Sequence, residues 1–179
     1  MAKNIVVLSG SPRKEGNTDM LVASFVEGAK SADKNVVVFR VADMKIGGCL
    51  GCRHCFKEKG VCVQKDDMEE ILKAIQKADT LVFASPIYFF DMTAQLKLAI
   101  DRTYALLSVG TLIKKAAFLI TCGDDSEKAA EGTVVTFKSI CAYSKWEDGG
   151  VIIVPAVNRP GAIKGRAELV KAMTFGREI

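Results

Sequence analysis

Four of the chain's six cysteines are crowded into one short stretch, as Cys49-x2-Cys52-x2-Cys55-x6-Cys62. In a reducing compartment disulfides do not account for such crowding, so the run asks for a metal or a redox role. Three thiolates on a tight loop, with a fourth returning after a turn at Gly60, can meet the four corners of a 4Fe-4S cluster. The last gap is longer than in the ferredoxin run, and no proline follows it. Zinc is a rival reading, although four-cysteine zinc sites usually separate two Cys-x2-Cys knuckles by a longer stretch. A loop that holds no metal is the third. His54, the only histidine, lies inside the run and is read as decorating the loop rather than as a ligand. With one histidine, a Ser-His-Asp triad or a two-histidine metal site is a poor reading.

A second group of residues suits an anion. Ser9-Gly10-Ser11-Pro12-Arg13-Lys14-Glu15-Gly16-Asn17-Thr18 leads from an apolar run straight into a helical pattern. Free N–H groups and the positive end of a helix dipole favour a phosphate there, and hydroxyls and an arginine add donors. Neither the G-x-G-x-x-G fingerprint nor a Gly-Lys-Ser/Thr ending is present, which points to a terminal phosphate rather than a pyrophosphate. The plainer alternative is a polar turn with Asn17 or Thr18 as a helix cap.

The third group is Ser85-Pro86-Ile87-Tyr88-Phe89-Phe90-Asp91-Met92. Three aromatic residues after a buried strand are costly to leave exposed, and a flat ligand lying beside them would recover the burial. Pro86 stiffens the turn. The alternatives are an aromatic cap on the core or a subunit contact.

These groups need a scaffold that brings them together. Asn4–Ser9 is a continuous apolar run, the mark of a strand buried on both faces of a parallel sheet. From Thr18, apolar residues at Leu21, Val22, Phe25, Val26 and Ala29 predict a helix. The alternation continues with a strand at 35–41, a loop at 49–65, a helix after Asp67 with Glu70 in a capping-box variant, and a strand at 80–84. It ends with a helix at 93–107, a strand at 116–121, a helix within 126–144, a strand at 151–155 and a helix near 165–173. This order predicts one domain over 1–179: an α/β doubly wound, five-stranded parallel sheet in three α/β/α layers, order 2-1-3-4-5. Its switch point lies between the first and third strands, where the phosphate loop and the aromatic loop face each other.

Composition bounds the remaining choices. A net charge of +4 comes from 25 Lys and Arg scattered among 21 acidic residues, without a basic stripe, so nucleic acid is not expected as a partner. No apolar run approaches the ~20 residues of a membrane span, and the amino terminus lacks the features of a signal peptide. A cytoplasmic protein away from the membrane is the expectation.

GSPRKEGNT, SPIYFF running into TAQLKLAIDR, and CLGCRHC followed by VCVQKDDM together resemble the NADPH-dependent FMN reductase and iron-sulfur flavoprotein family. The resemblance extends to about Arg102. It implies a flavodoxin-like fold that holds FMN, with Ser9, Ser11, Pro12, Arg13, Gly16, Asn17 and Thr18 around the phosphate. Pro86, Ile87, Tyr88 and Phe89 would border the ring, and Thr121, Cys122 and Gly123 would add a further contact. It implies a 4Fe-4S cluster on Cys49, Cys52, Cys55 and Cys62, and homodimers or homotetramers. The expected activity is redox, with electrons passing between NAD(P)H or a ferredoxin-like donor and an acceptor, small molecule or protein. No protein acid or base is obligatory, because the flavin carries the chemistry. The alternatives are a cluster-free NAD(P)H-dependent FMN or quinone reductase and, further out, a zinc-stabilised non-enzymatic flavodoxin-like module.

Asp66 and Asp67 are read as a helix start rather than a metal pair, Asp101 and Arg102 as an ion pair or subunit contact, and Cys141 as a small core residue.

Overall fold

The computed structural model describes residues 3–179; Met1 and Ala2, with the part of the amino-terminal reading that rests on them, lie outside the described residues. The hydrophobic stretches form five parallel strands: β1 (Asn4–Ser9), β2 (Asn35–Arg40), β3 (Thr80–Tyr88), β5 (Lys115–Thr121) and β6 (Glu147–Val154). A sixth, β4 (Asp91–Met92), folds back antiparallel on the end of β3, pairing Ile87 with Met92 and Tyr88 with Asp91. The sheet order is β2-β1-β3-β5-β6. Leaving out the short β4, this is the expected 2-1-3-4-5 order of a doubly wound, flavodoxin-like sheet.

Side chains alternate across the sheet and build a core on each face. Val6, Leu8, Phe83 and Phe118 point one way, toward α3 (Met68–Ile75), α4 (Ala94–Arg102) and α5 (Glu131–Ser144). Phe83, Phe118 and Phe137 meet there with ring centroids 5.7 to 6.2 Å apart. Ile5, Val7, Val82 and Leu119 point the other way, toward α1 (Asn17–Lys30) and α6 (Ala167–Glu178). Those two helices touch backbone to backbone: a Cβ on Gly28 would lie 1.8 Å from Met173 O, and one on Gly176 2.0 Å from Phe25 O. Only glycine permits that approach.

Several boundaries differ from expectation. The third strand continues past Ala84 to Tyr88, because the hairpin with β4 gives Ile87 and Tyr88 a pairing partner. The cysteine loop contains one helical turn, α2 (His54–Lys57). α4 gives way at Thr103 to a 3-10 segment through Ser108. β6 starts at Glu147, four residues early, because Gly149 and Gly150 lie inside the strand and mask its pattern. Asp67 is not the side-chain cap of α3; its carboxylate accepts instead from Lys45 N–H, and Asp66 accepts from Met68 N–H at 3.2 Å.

Candidate functional site

β1 runs out at Ser9, and Gly10 N–H donates to Ala84 O at 2.8 Å, so the first loop leaves the sheet between β1 and β3. Glycine is required at this point: a Cβ on Gly10 would lie 2.5 Å from Thr93 Oγ1 and 2.6 Å from Leu96 Cβ. The Thr93 hydroxyl donates to Gly10 O at 2.8 Å and caps α4 by accepting from Leu96 N–H. Its own N–H donates to Ser85 Oγ at 3.0 Å. One threonine thus fastens the first loop, the end of β3 and the start of α4 together. Sequence reasoning missed it; a Thr three residues before the first buried position of α4, Leu96, was the available cap signal.

Gly16 is the N-cap of α1, and no side chain caps that end, which leaves first-turn N–H groups for a ligand. Arg40, on the neighbouring β2, pairs with Asp19 and donates to Ser11 O at 3.3 Å, bracing the loop from outside. The buried Asn17 amide is committed to structure. Its Nδ2 donates to Val157 O and Arg159 O, both at 2.9 Å, and its Oδ1 accepts from Ile163 N–H at 3.3 Å. It ties the loop after β6 to α1, so toward an anion it offers its backbone rather than its side chain. The Thr18 and Thr121 hydroxyls are 2.7 Å apart and join α1 to the end of β5.

Around these ties lies a cavity of about 200 Å³ at the carboxyl ends of β1, β3 and β5. Ser11, Arg13, Gly16, Asn17 and Thr18 line one side of it. Pro86, Ile87 and Tyr88 line another, and Thr121, Cys122 and Gly123 complete it. Ser9, Pro12 and Phe89 are not in the lining; Ser9 is buried beneath, with its hydroxyl unpartnered. Val157 and Asn158 join the lining without having been foreseen, because the loop after the last strand carries no motif. The lining brings the donors of the first loop together with the side chains of Pro86, Ile87 and Tyr88. Burial, then the nearby Asp124 and Glu127, holds the Cys122 thiol above its ordinary pKa, so it faces the cavity uncharged.

The aromatic segment splits in two. Tyr88 borders the cavity, whereas Phe89 (97% exposed) and Phe90 form the hairpin tip with φ of 49° and 70°. Two central residues at positive φ suit a tight turn, a place usually taken by Asn-Gly. Asp91 secures the hairpin to α5 by accepting from Thr133 Oγ1 at 2.8 Å.

All four cysteines of the run line one small cavity of about 30 Å³, together with Arg102, Tyr104 and Ala105. Cys49 and Cys52 are exposed, and Cys55 and Cys62 half-buried. Burial pushes the Cys55 thiol up, and Cys62, Cys49 and Cys52 push it further, a mark of mutual closeness. Gly60, at φ 85°, makes the expected turn, and its N–H donates to Cys55 O at 2.7 Å. Among the described residues no three His, Cys, Asp or Glu side chains converge on a single-ion site. Asp66 and Arg102 do form a pair, but with each other. Two hydrogen bonds of 2.8 and 2.9 Å join the carboxylate to the guanidinium, which also donates to Gly47 O. Asp101 pairs separately with Lys97. Thr93 and Arg102 stand at the two ends of α4, and the two cavities share no lining residue.

The profile of the NADPH-dependent FMN reductase family matches residues 3–157. The chain belongs to that family. NADPH-dependent FMN reductases are FMN-dependent oxidoreductases, and their flavodoxin-like sheet is the one described above. An iron-sulfur flavoprotein of Methanocaldococcus jannaschii is 35% identical over 130 residues, which span 73% of this chain and 67% of the relative. A putative NAD(P)H-dependent FMN-containing oxidoreductase of Bacillus subtilis is 28% identical over 167 residues, spanning 89% of this chain and 88% of the relative. Among solved structures, an NAD(P)H:quinone oxidoreductase from Methanothermobacter marburgensis superposes with a TM-score of 0.73 at 24% identity, over 99% of this chain and 96% of that one. That likeness speaks to the fold. Against the iron-sulfur flavoproteins the matched stretch covers between 44% and 68% of the relative's length. Among the described residues no helix is long and apolar enough to cross a membrane.

Proposed function

We propose that this FMN reductase family member holds FMN with the phosphate against Ser11, Arg13, Gly16, Asn17 and Thr18 and the ring along Pro86, Ile87 and Tyr88. Thr121, Cys122 and Gly123 close the third side. The observation that carries the reading is the convergence of these three separate segments on one cavity at the switch point of the sheet. The donors there suit a phosphate and the wall suits a flat ring. Bound FMN supplies hydride and single-electron chemistry. The chain's part is to anchor the phosphate through α1 and Thr18, to hold the ring against Pro86–Tyr88, and to keep the neighbouring Cys122 thiol neutral.

The four thiols around one cavity fit a 4Fe-4S cluster in the chemistry of the donor set, and Cys49, Cys52, Cys55 and Cys62 would hold it. Such a group would supply one-electron traffic beside the two-electron traffic of a nicotinamide. The activity proposed is electron transfer between NAD(P)H, or a ferredoxin-like donor, and an acceptor. Self-association is proposed through the apolar groove of about 1030 Å³ between the 3-10 segment after α4 and α5, where Leu107, Val135 and Tyr143 are exposed.

The test is anaerobic purification with FMN, iron, zinc and acid-labile sulfide measured in one preparation, followed by mixing with NADH and NADPH. One FMN and four irons per chain support the full reading. FMN with no iron, and flavin reduced by NAD(P)H, leaves the cluster-free reductase. Zinc in place of iron, with no flavin, overturns both.

A further inference from the structure

We propose that Arg102 is a positioning and charge-balancing residue for the four-thiolate group on Cys49, Cys52, Cys55 and Cys62, holding that group at a higher reduction potential than the loop alone would give. The inference rests on the iron-sulfur reading of the cysteine run. Arg102 is 2% exposed, an unusual burial for an arginine at the end of a helix. Its partner Asp66 takes two of its N–H groups and Gly47 O receives another. Asp66 in turn accepts from Gly47 N–H at 3.0 Å and from Met68 N–H at 3.2 Å. The guanidinium therefore knots the two ends of the cysteine loop, at residue 47 and at residue 66, onto the carboxyl end of α4.

That knot accounts for the fixed position of Arg102 but not for its Nε–H, which is buried and has no hydrogen-bond partner. An orphaned buried donor on a cation calls for an explanation. Arg102 lines the same small cavity as all four cysteines, so the unused donor and its charge belong to the thiol site. Four thiolates gathered on one cluster leave net negative charge, and reduction adds one more. A buried cation and a hydrogen bond to sulfur both favour the reduced form, since net charge and hydrogen bonds to the sulfurs set cluster potentials. Asp66 offsets part of the charge of Arg102, but its carboxylate is turned to Gly47, Met68 and the guanidinium, leaving Nε as the unused donor of a residue that lines the thiol cavity.

The test compares the full chain with Arg102→Lys and with the double variant Arg102→Met/Asp66→Asn, which removes both charges so that neither is left buried alone. All are reconstituted anaerobically with iron and sulfide, assayed for bound iron, and titrated by redox-monitored EPR. The expected result is a more negative midpoint potential in the double variant, equivalent to a fall of at least about tenfold in electron affinity, or about 59 mV for a one-electron couple. Arg102→Lys, which keeps the charge beside Asp66 but has no Nε donor, should shift in the same direction by a smaller amount. A merely structural role would lower iron content and leave the potential of the remaining cluster unchanged, and that outcome overturns the proposal. Unmodified protein that binds FMN but no iron overturns the cluster reading itself, and this inference with it.

Discussion

The hydroxyls of Thr18 and Thr121 lie 2.7 Å apart in the floor of the proposed FMN cavity, one on the first turn of α1 and the other at the end of β5. Each has a single proton, so when Thr121 donates to Thr18 the proton of Thr18 is left for an anion. A hydrogen bond to a charged group is worth about 1.5–3 kcal/mol. Thr18→Val should therefore weaken FMN at least about tenfold while riboflavin, which lacks the phosphate, binds nearly as before. Fluorescence titration of both flavins measures the difference. Equal losses would remove Thr18 from the phosphate site, and equal affinity of the unmodified chain for both flavins would remove the phosphate site altogether.

Tyr88 and Phe89 should behave oppositely. Tyr88 lines the cavity, so Tyr88→Ala should loosen the flavin or shift its potential without unfolding the domain. Phe89 sits outside at φ 49°, a conformation that costs a side-chain-bearing residue roughly 1–2 kcal/mol. Phe89→Gly should retain flavin and gain about 0.5–1 kcal/mol in urea unfolding, the strain relief being trimmed by the extra freedom of glycine in the unfolded chain. A Tyr88→Ala chain that unfolds with its residual flavin affinity intact would place the aromatics in the core.

The cysteines should divide by reactivity. Burial, then Asp148, pushes the Cys141 thiol up to about 11, so at pH 8 about one molecule in a thousand carries its thiolate. Cys49 and Cys52 are exposed. In iron-free folded protein an alkylating reagent should label these two first and leave Cys141 unmodified until the chain unfolds, as peptide mass mapping would read directly. Early labelling of Cys141 would mean that α5 opens in the native state.

Acid should act through Asp66. Its hydrogen bonds from Arg102 hold its carboxyl below the usual carboxylate range, so it stays ionised in the folded protein at a pH where the unfolded chain takes up a proton. The resulting stabilisation is fully present above about pH 4 and is lost as the pH falls through the lower folded value. In iron-free protein, Asp66→Asn should be less stable at neutral pH and should show a flatter decline into acid. A variant that loses stability in parallel with the unmodified chain would assign the acid sensitivity to other carboxylates.

Much of this was legible because it depends on pattern. The buried strands and the order of the sheet follow from runs such as Asn4–Ser9 and Thr80–Ala84, and the three chemistry-bearing segments could be placed at strand ends once that order was known. What escaped was set by tertiary contacts. Asn17 reads as an anion ligand from sequence alone, yet its amide is used by Val157, Arg159 and Ile163, more than a hundred residues away. Asp66 and Arg102 gave no hint of pairing across 36 positions. Thr93 drew no notice beyond marking the start of a helix, and its bond to Gly10 exists only because the fold brings the first loop to the end of β3.

The helix between Thr93 and Arg102 sets the spacing of the two proposed redox sites. Nine steps of about 1.5 Å put its ends about 14 Å apart, one end knotted to the loops of the proposed FMN cavity and the other to the thiol loop. If both proposed groups are bound, the spacing between their two loops within a subunit is set by an α-helical rise rather than by a flexible linker. Its outward residues, such as Lys97 and Asp101, can change without altering that spacing, whereas a single inserted residue would swing Arg102 by about 100° around the axis and pull it off the thiol loop.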